Sequence, residues 1–136
     1  MEIDYLPILV SALVVMVLGA LWYSPALCGG IWMKAMGYTK KDMEKAQKDG
    51  MAKEYLANFL SLVLMAFVLE YFISFIGAVD FKEGMLIGLL AWLGFTATVQ
   101  LWPVLWAKMP FNVYLVNAGY TLVGMGLMGG LLVVVG

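Results

Sequence analysis

Residues 5–24 read YLPILVSALVVMVLGALWYS, twenty positions without a charge. At 1.5 Å per helical residue this stretch covers about 30 Å, the thickness of a bilayer's hydrocarbon core. It is apolar all round, whereas a barrel strand alternates. A helix also satisfies its own backbone groups, which lipid requires. Three more stretches repeat the pattern. Residues 55–77 carry one charge, Glu70, and residues 84–102 and 111–135 carry none. The predicted fold is therefore an all-α integral membrane bundle of four transmembrane helices. One domain fills 1–136, and an interfacial, amphipathic helical segment over 25–54 joins the first two spans.

Composition agrees and excludes several chemistries. Of 136 residues 64% are hydrophobic and 12% charged, against about 45–50% and 25% in soluble domains. The chain has no His, no Arg and one Cys. His-ligated metals, His-based triads, bidentate phosphate clamps and an internal disulfide are thus ruled out. No cofactor, metal or catalytic set is expected. A net charge of −1 gives no pull toward nucleic acid. A cleaved signal would open on basic residues, and this start carries Glu2 and Asp4.

Lysines set the orientation. Lys34, Lys40, Lys41, Lys45, Lys48 and Lys53 lie between the first two spans, and Lys108 lies between the last two. Lys82 stands alone on the other side. The lysine-bearing side is expected to be cytoplasmic and both termini outside, in a multi-pass protein of the plasma membrane. Within 25–54, Gly29-Gly30 is expected to break the first helix. Trp32 and Lys34 suit headgroup depth, and Thr39 with Asp42 makes a helix N-terminus. Trp102, Trp106 and Lys108 are interface anchors, and Pro110 suits the start of the last helix.

Depth sorts the polar residues into two layers. The inner layer holds Trp22, Tyr23, Ser24, Asn58, Ser61, Gln100, Asn117 and Tyr120. Amides in hydrocarbon need partners, so Asn58, Gln100 and Asn117 either bond one another or line a wet crevice. The outer layer centres on Glu70, with Ser11, Gly88 and Gly126 at similar depth. An ionisable group inside a membrane is a functional candidate, and Lys82 is its one potential cationic partner. Small residues mark packing faces: Gly84 and Gly88 in the third span, and Gly119, Gly126 and Gly130 in the fourth. Whether these contacts lie within one chain or between copies stays open.

Residues 19–37 read GALWYSPALCGGIWMKAMG. This resembles the signature of the domain of unknown function 1761 family, small membrane proteins of bacteria and archaea. The resemblance rests on Gly19, Leu21, Trp22, Tyr23, Ser24 and Pro25, then Trp32, Met33 and Lys34. Asn117-Ala118-Gly119-Tyr120 is similar to the start of the family's last helix. The likeness covers most of the chain. It implies four spans and supplies no activity. Family members often carry an aromatic residue where Cys28 stands, and Glu70 matches no family motif. Two readings of the first motif stay open, a structural corner or a binding site built on one.

The functional expectation is a non-enzymatic protein that binds lipid or a small ligand, or acts as a scaffold, within a homo-oligomer. The competing expectation is a small proton- or cation-coupled transporter or channel using Glu70. The plan of four spans and one acid resembles small multidrug transporters, which carry the acid in the first helix. An intramembrane lipid enzyme has only Glu70 as base and Ser11 as nucleophile.

Overall fold

The computed structural model describes residues 4–135. Glu2 of the acidic start lies outside the described residues. The chain forms α1 (Tyr5–Trp22), α2 (Gly29–Met36), α3 (Lys40–Asp49), α4 (Ala52–Ile76), α5 (Phe81–Ala91), a π-helical turn (Trp92–Thr96), α6 (Ala97–Trp106) and α7 (Phe111–Val134). Four helical runs are long and apolar enough to cross a membrane: α1, α4, the continuous run Phe81–Trp106, and α7. The protein is an all-α membrane bundle.

Local chemistry fixes the helix ends. Asp4 caps α1 by accepting from the Leu6 N–H at 3.1 Å. At α3, Thr39 and Asp42 exchange hydrogen bonds in a capping box, as their spacing predicts. Asp80 caps α5 through the Glu83 N–H, while the Glu83 carboxylate reaches back to the Val79 N–H. Gly37, Gly50 and Gly77 end their helices with positive φ. Lys108, just past α6, also has a positive φ, 55°. A side chain there costs about 1–2 kcal/mol relative to glycine.

Two expected breaks lie elsewhere. Gly29 and Gly30 do not break α1, which ends at Trp22; they form the first turn of α2. The break falls at Tyr23–Pro25, where proline disfavours helix for its predecessor. The third run continues past Trp102 and takes Pro103 inside α6. Proline's fixed φ suits a helix, and membrane helices re-satisfy the one bond it deletes.

The central element is α7, which packs against α5, α1, α2, α4 and α6. Ile8, Ala12 and Val15 of α1, Leu62, Ala66, Leu69 and Ile73 of α4, and Met125, Met128 and Leu132 of α7 form the core. Exposed leucines, valines and phenylalanines cover the outside of the four long helices, the surface a lipid solvent requires.

The glycine faces resolve inside the chain. A methyl on Gly84 would collide with the Gly129 carbonyl, and one on Gly88 with the Met125 carbonyl. Gly129 meets Gly84 in return, and Gly130 lies under the Phe81 ring. Gly126 takes Leu89 at 3.0 Å. The α5 and α7 backbones thus touch directly, as small residues permit. A homo-oligomer gains no support from these glycines, because α5 and α7 use them on each other.

Candidate functional site

The family-like motif at the end of α1 meets the second such motif, in α7, residue by residue. The Trp22 indole N–H donates to the Val116 carbonyl at 3.0 Å. The Tyr23 hydroxyl donates to Asn117 Oδ1 at 2.5 Å. The Tyr120 hydroxyl donates back to the Val15 carbonyl at 3.0 Å. The Trp22 and Tyr120 rings each rest on a glycine of the other helix. A methyl on Gly119 would sit 3.0 Å from the Trp22 ring, and one on Gly19 would sit 2.9 Å from the Tyr120 oxygen. This reciprocal fit removes four polar groups from lipid by pairing them, which an apolar medium demands.

The corner continues the clamp into the membrane plane. The Cys28 N–H bonds the Trp22 carbonyl at 2.9 Å, and the Gly29 N–H bonds the Ser24 carbonyl at 2.9 Å. Ser24 closes on the Leu21 carbonyl at 2.7 Å, and Pro25 is exposed. Gly29 packs so tightly that a methyl would strike the Tyr23 and Ser24 carbonyls. Trp32 of α2 meets Tyr23 edge-on at 6.0 Å between centroids, and Tyr38 lies against Trp32 at 5.3 Å. Tyr23 also meets Tyr120 edge-on at 5.6 Å. Lys34 stands in the last turn of α2, exposed.

Between this corner and the start of α7 opens a cleft of about 450 Å³. Trp22, Cys28, Ile31, Asn112, Leu115 and Val116 line it. Its walls are mostly apolar, with the Asn112 amide and the Cys28 thiol as polar features. It lies at the bundle end that carries α2, α3 and all lysines except Lys82.

A second cluster ties the third run to α7 at the same level. The Trp92 indole N–H is shared between the Ala118 carbonyl at 3.1 Å and the Thr121 hydroxyl at 3.0 Å. The Thr121 hydroxyl in turn reaches Gln100 Oε1 at 2.9 Å. Thr96 points its hydroxyl at the Met125 sulfur, 3.1 Å away, and Tyr114 donates to the Ala97 carbonyl at 3.2 Å. Trp92 opens the π-helical turn, a distortion frequent where a helix serves a special purpose.

The expected inner layer therefore assembles in two parts. Trp22, Tyr23, Asn117 and Tyr120 come together with Gly19, Gly119 and Trp32. Gln100 joins through Thr121 rather than through another amide. Asn58 stays apart and exposed on α4, with only its carbonyl taken, by Ser61. Of the outer layer, Gly88 and Gly126 meet in the α5–α7 contact, while Ser11 and Glu70 bond elsewhere. Ser11 is fully buried and donates to the Ile8 carbonyl. Glu70 lies half-buried on α4, where its Oε1 accepts from Ser74 at 3.3 Å and its Oε2 is buried without a partner. Shared depth is not shared azimuth: Ser11 lies on the buried stripe of α1, while Glu70 flanks the α4 stripe of Leu62, Ala66, Leu69 and Ile73.

Sequence reasoning missed Trp92, Thr121, Thr96, Tyr114 and the cleft residues Ile31, Asn112 and Leu115. An indole N–H inside an apolar helix seeks an acceptor, and that rule alone marks Trp92. The cleft residues carry no comparable signal, since each is ordinary for an interface. Among the described residues no group of three or more His, Cys, Asp or Glu gathers.

No curated protein and no solved structure matches the chain. Residues 6–133 match the family described as protein of unknown function (DUF1761). Both motifs of the clamp lie inside the matched range, which covers nearly the whole chain, and the chain belongs to that family.

Proposed function

We propose that this protein is a non-enzymatic membrane protein that holds a lipid, or a ligand shaped like one, in the cleft between the corner and α7. The carrying observation is the cleft's composition: apolar walls of Ile31, Leu115 and Val116 beside the Asn112 amide. Such a lining suits a molecule with a hydrocarbon tail and a polar head. The Trp22, Tyr23, Asn117 and Tyr120 polar groups already have partners across the α1–α7 contact, so they act as the scaffold that sets the cleft. The lysine distribution supports a cytoplasmic position for the cleft, with both termini outside. Membrane-impermeant thiol labelling of Lys45→Cys and Lys82→Cys reads that orientation. A second copy of the chain is a potential partner, through surfaces other than the α5–α7 glycines.

The test is photolabelling in nanodiscs with a phospholipid carrying a diazirine on its acyl chain. Labels are expected to concentrate on residues 22–31 and 112–116. Leu115→Trp, which fills the cleft, should remove them. Labels spread evenly over the exposed residues of all four spans would overturn the proposal.

One observation favours a second reading, transport coupled to Glu70. Its Oε2 atom is buried without a partner, and an unpaired polar atom is costly in an apolar medium. Against it, Ile8, Ala12, Ala66 and Met128 fill the space between the helices. A path through one chain would have to displace them. Proton flux in liposomes that Glu70→Gln leaves unchanged, or no flux above protein-free liposomes, eliminates this reading.

A further inference from the structure

Lys108 occupies a backbone position that favours glycine. It follows the end of α6 with φ 55°, while the Ala107 and Met109 N–H groups both bond the Pro103 carbonyl, at 2.9 and 3.1 Å. At the three other positive-φ positions among the described residues the chain uses glycine: Gly37, Gly50 and Gly77. A side chain held in a conformation it disfavours points to a use for that side chain. Here the side chain is a cation, and it sits in the short connection leading into Asn112 at the cleft edge. A second cation follows another lining residue: Lys34 lies one turn after Ile31 on α2 and is exposed. The carboxylates of this end, Asp42, Glu44, Asp49 and Glu54, belong to α3 and the start of α4, not to α2 or to the connection between α6 and α7.

We infer that the cleft selects an anionic phospholipid, its acyl chain between Ile31 and Leu115 and its phosphate-bearing head between Lys34 and Lys108. This rests on the lipid-binding reading above and adds the headgroup class. Charge complementarity carries it. Lysine ammonium groups bind phosphate as point charges, and each contributes about fivefold to anionic-lipid affinity near a membrane surface. The exposed lysines of α3 are a different feature, since Asp42, Glu44 and Asp49 are interleaved with them on the same helix.

The experiment is native mass spectrometry of the protein released from nanodiscs holding equal amounts of phosphatidylglycerol and phosphatidylcholine. The wild type is expected to retain phosphatidylglycerol in preference, and Lys34→Gln and Lys108→Gln should each cut that preference about fivefold. Lys108→Gly should also cut it while raising the melting temperature, so that lost selectivity is separated from lost folding. Leu115→Trp should lose both lipids. Equal retention of the two lipids overturns the headgroup inference and leaves the lipid-binding reading standing. Retention of neither removes both. A preference lost on changing Lys41, Lys45 and Lys48 instead assigns the anion to the α3 surface and overturns the site. Displacement of the lipid by millimolar glycerol phosphate would show a soluble phosphate to be the occupant and overturn the lipid assignment.

Discussion

Gly29 and Gly30 are neighbours of identical chemistry with opposite surroundings. A methyl on Gly29 would strike the carbonyls of Tyr23 and Ser24, whereas one on Gly30 would meet nothing within 4 Å. Both lie in α2, where glycine costs about 0.5–1 kcal/mol relative to alanine. Gly30→Ala should therefore stabilise the protein by about that amount. Gly29→Ala should destabilise it by about 1–3 kcal/mol, because the corner must open to admit the methyl. Thermal melts of the two variants in detergent decide this, and equal shifts would mean that the corner is not packed as described. The sequence carried the glycine pair and the motif around it, and so made a corner legible there. It did not say which glycine the corner needs, since that depends on two carbonyls brought back by the turn. The same limit hid the clamp. Gly19 and Tyr120, or Gly119 and Trp22, are each readable as a small residue and a large one. Their complementarity exists only once α1 and α7 lie side by side.

At the scale of the element, α3 stands on its own chemistry. It has no buried residue, so caps rather than packing hold it against an unfavourable helix nucleus. The Thr39 N–H, and secondarily the Thr39 hydroxyl, hold the Asp42 carboxyl below the usual carboxylate range. The folded value is lower than the unfolded one, so the capping contribution is complete above about pH 4, the ordinary aspartate value. It is lost as the pH falls through the lowered folded value. We expect α3 amides to lose exchange protection in that acid window while α1 and α7 keep theirs. Hydrogen exchange with a carboxyl NMR titration checks it; an Asp42 titrating in the ordinary range would refute the assignment. The box was readable from Thr39 and Asp42 because capping depends only on residues three apart. The π-helical turn was not, since Trp92 needs Thr121 and the Ala118 carbonyl of another helix.

For the whole molecule, the four spans were legible because hydrophobic length is a property of each segment alone. Rise along a helix is likewise a property of each segment. Rotation about the helix is not, and this is why Ser11 and Glu70 share a level without sharing a site, and why Asn58 stands outside the polar belt. The glycines pose the same question at larger scale, because their spacing marks a face without naming what covers it. In the bundle Gly84 and Gly88 are covered by Gly129 and the Met125 carbonyl of the same chain. Gly84→Ile tests that assignment. With the contact internal, the larger side chain separates α5 from α7 and strips the core of its central helix. The variant should melt at lower temperature and yield no stable, smaller species on size exclusion. If the glycines instead joined two copies, the same substitution would release a folded protomer with a melting temperature near that of the wild type. The two outcomes differ in both size and stability, so a melt and an elution volume suffice to distinguish a face used within the chain from one used between chains.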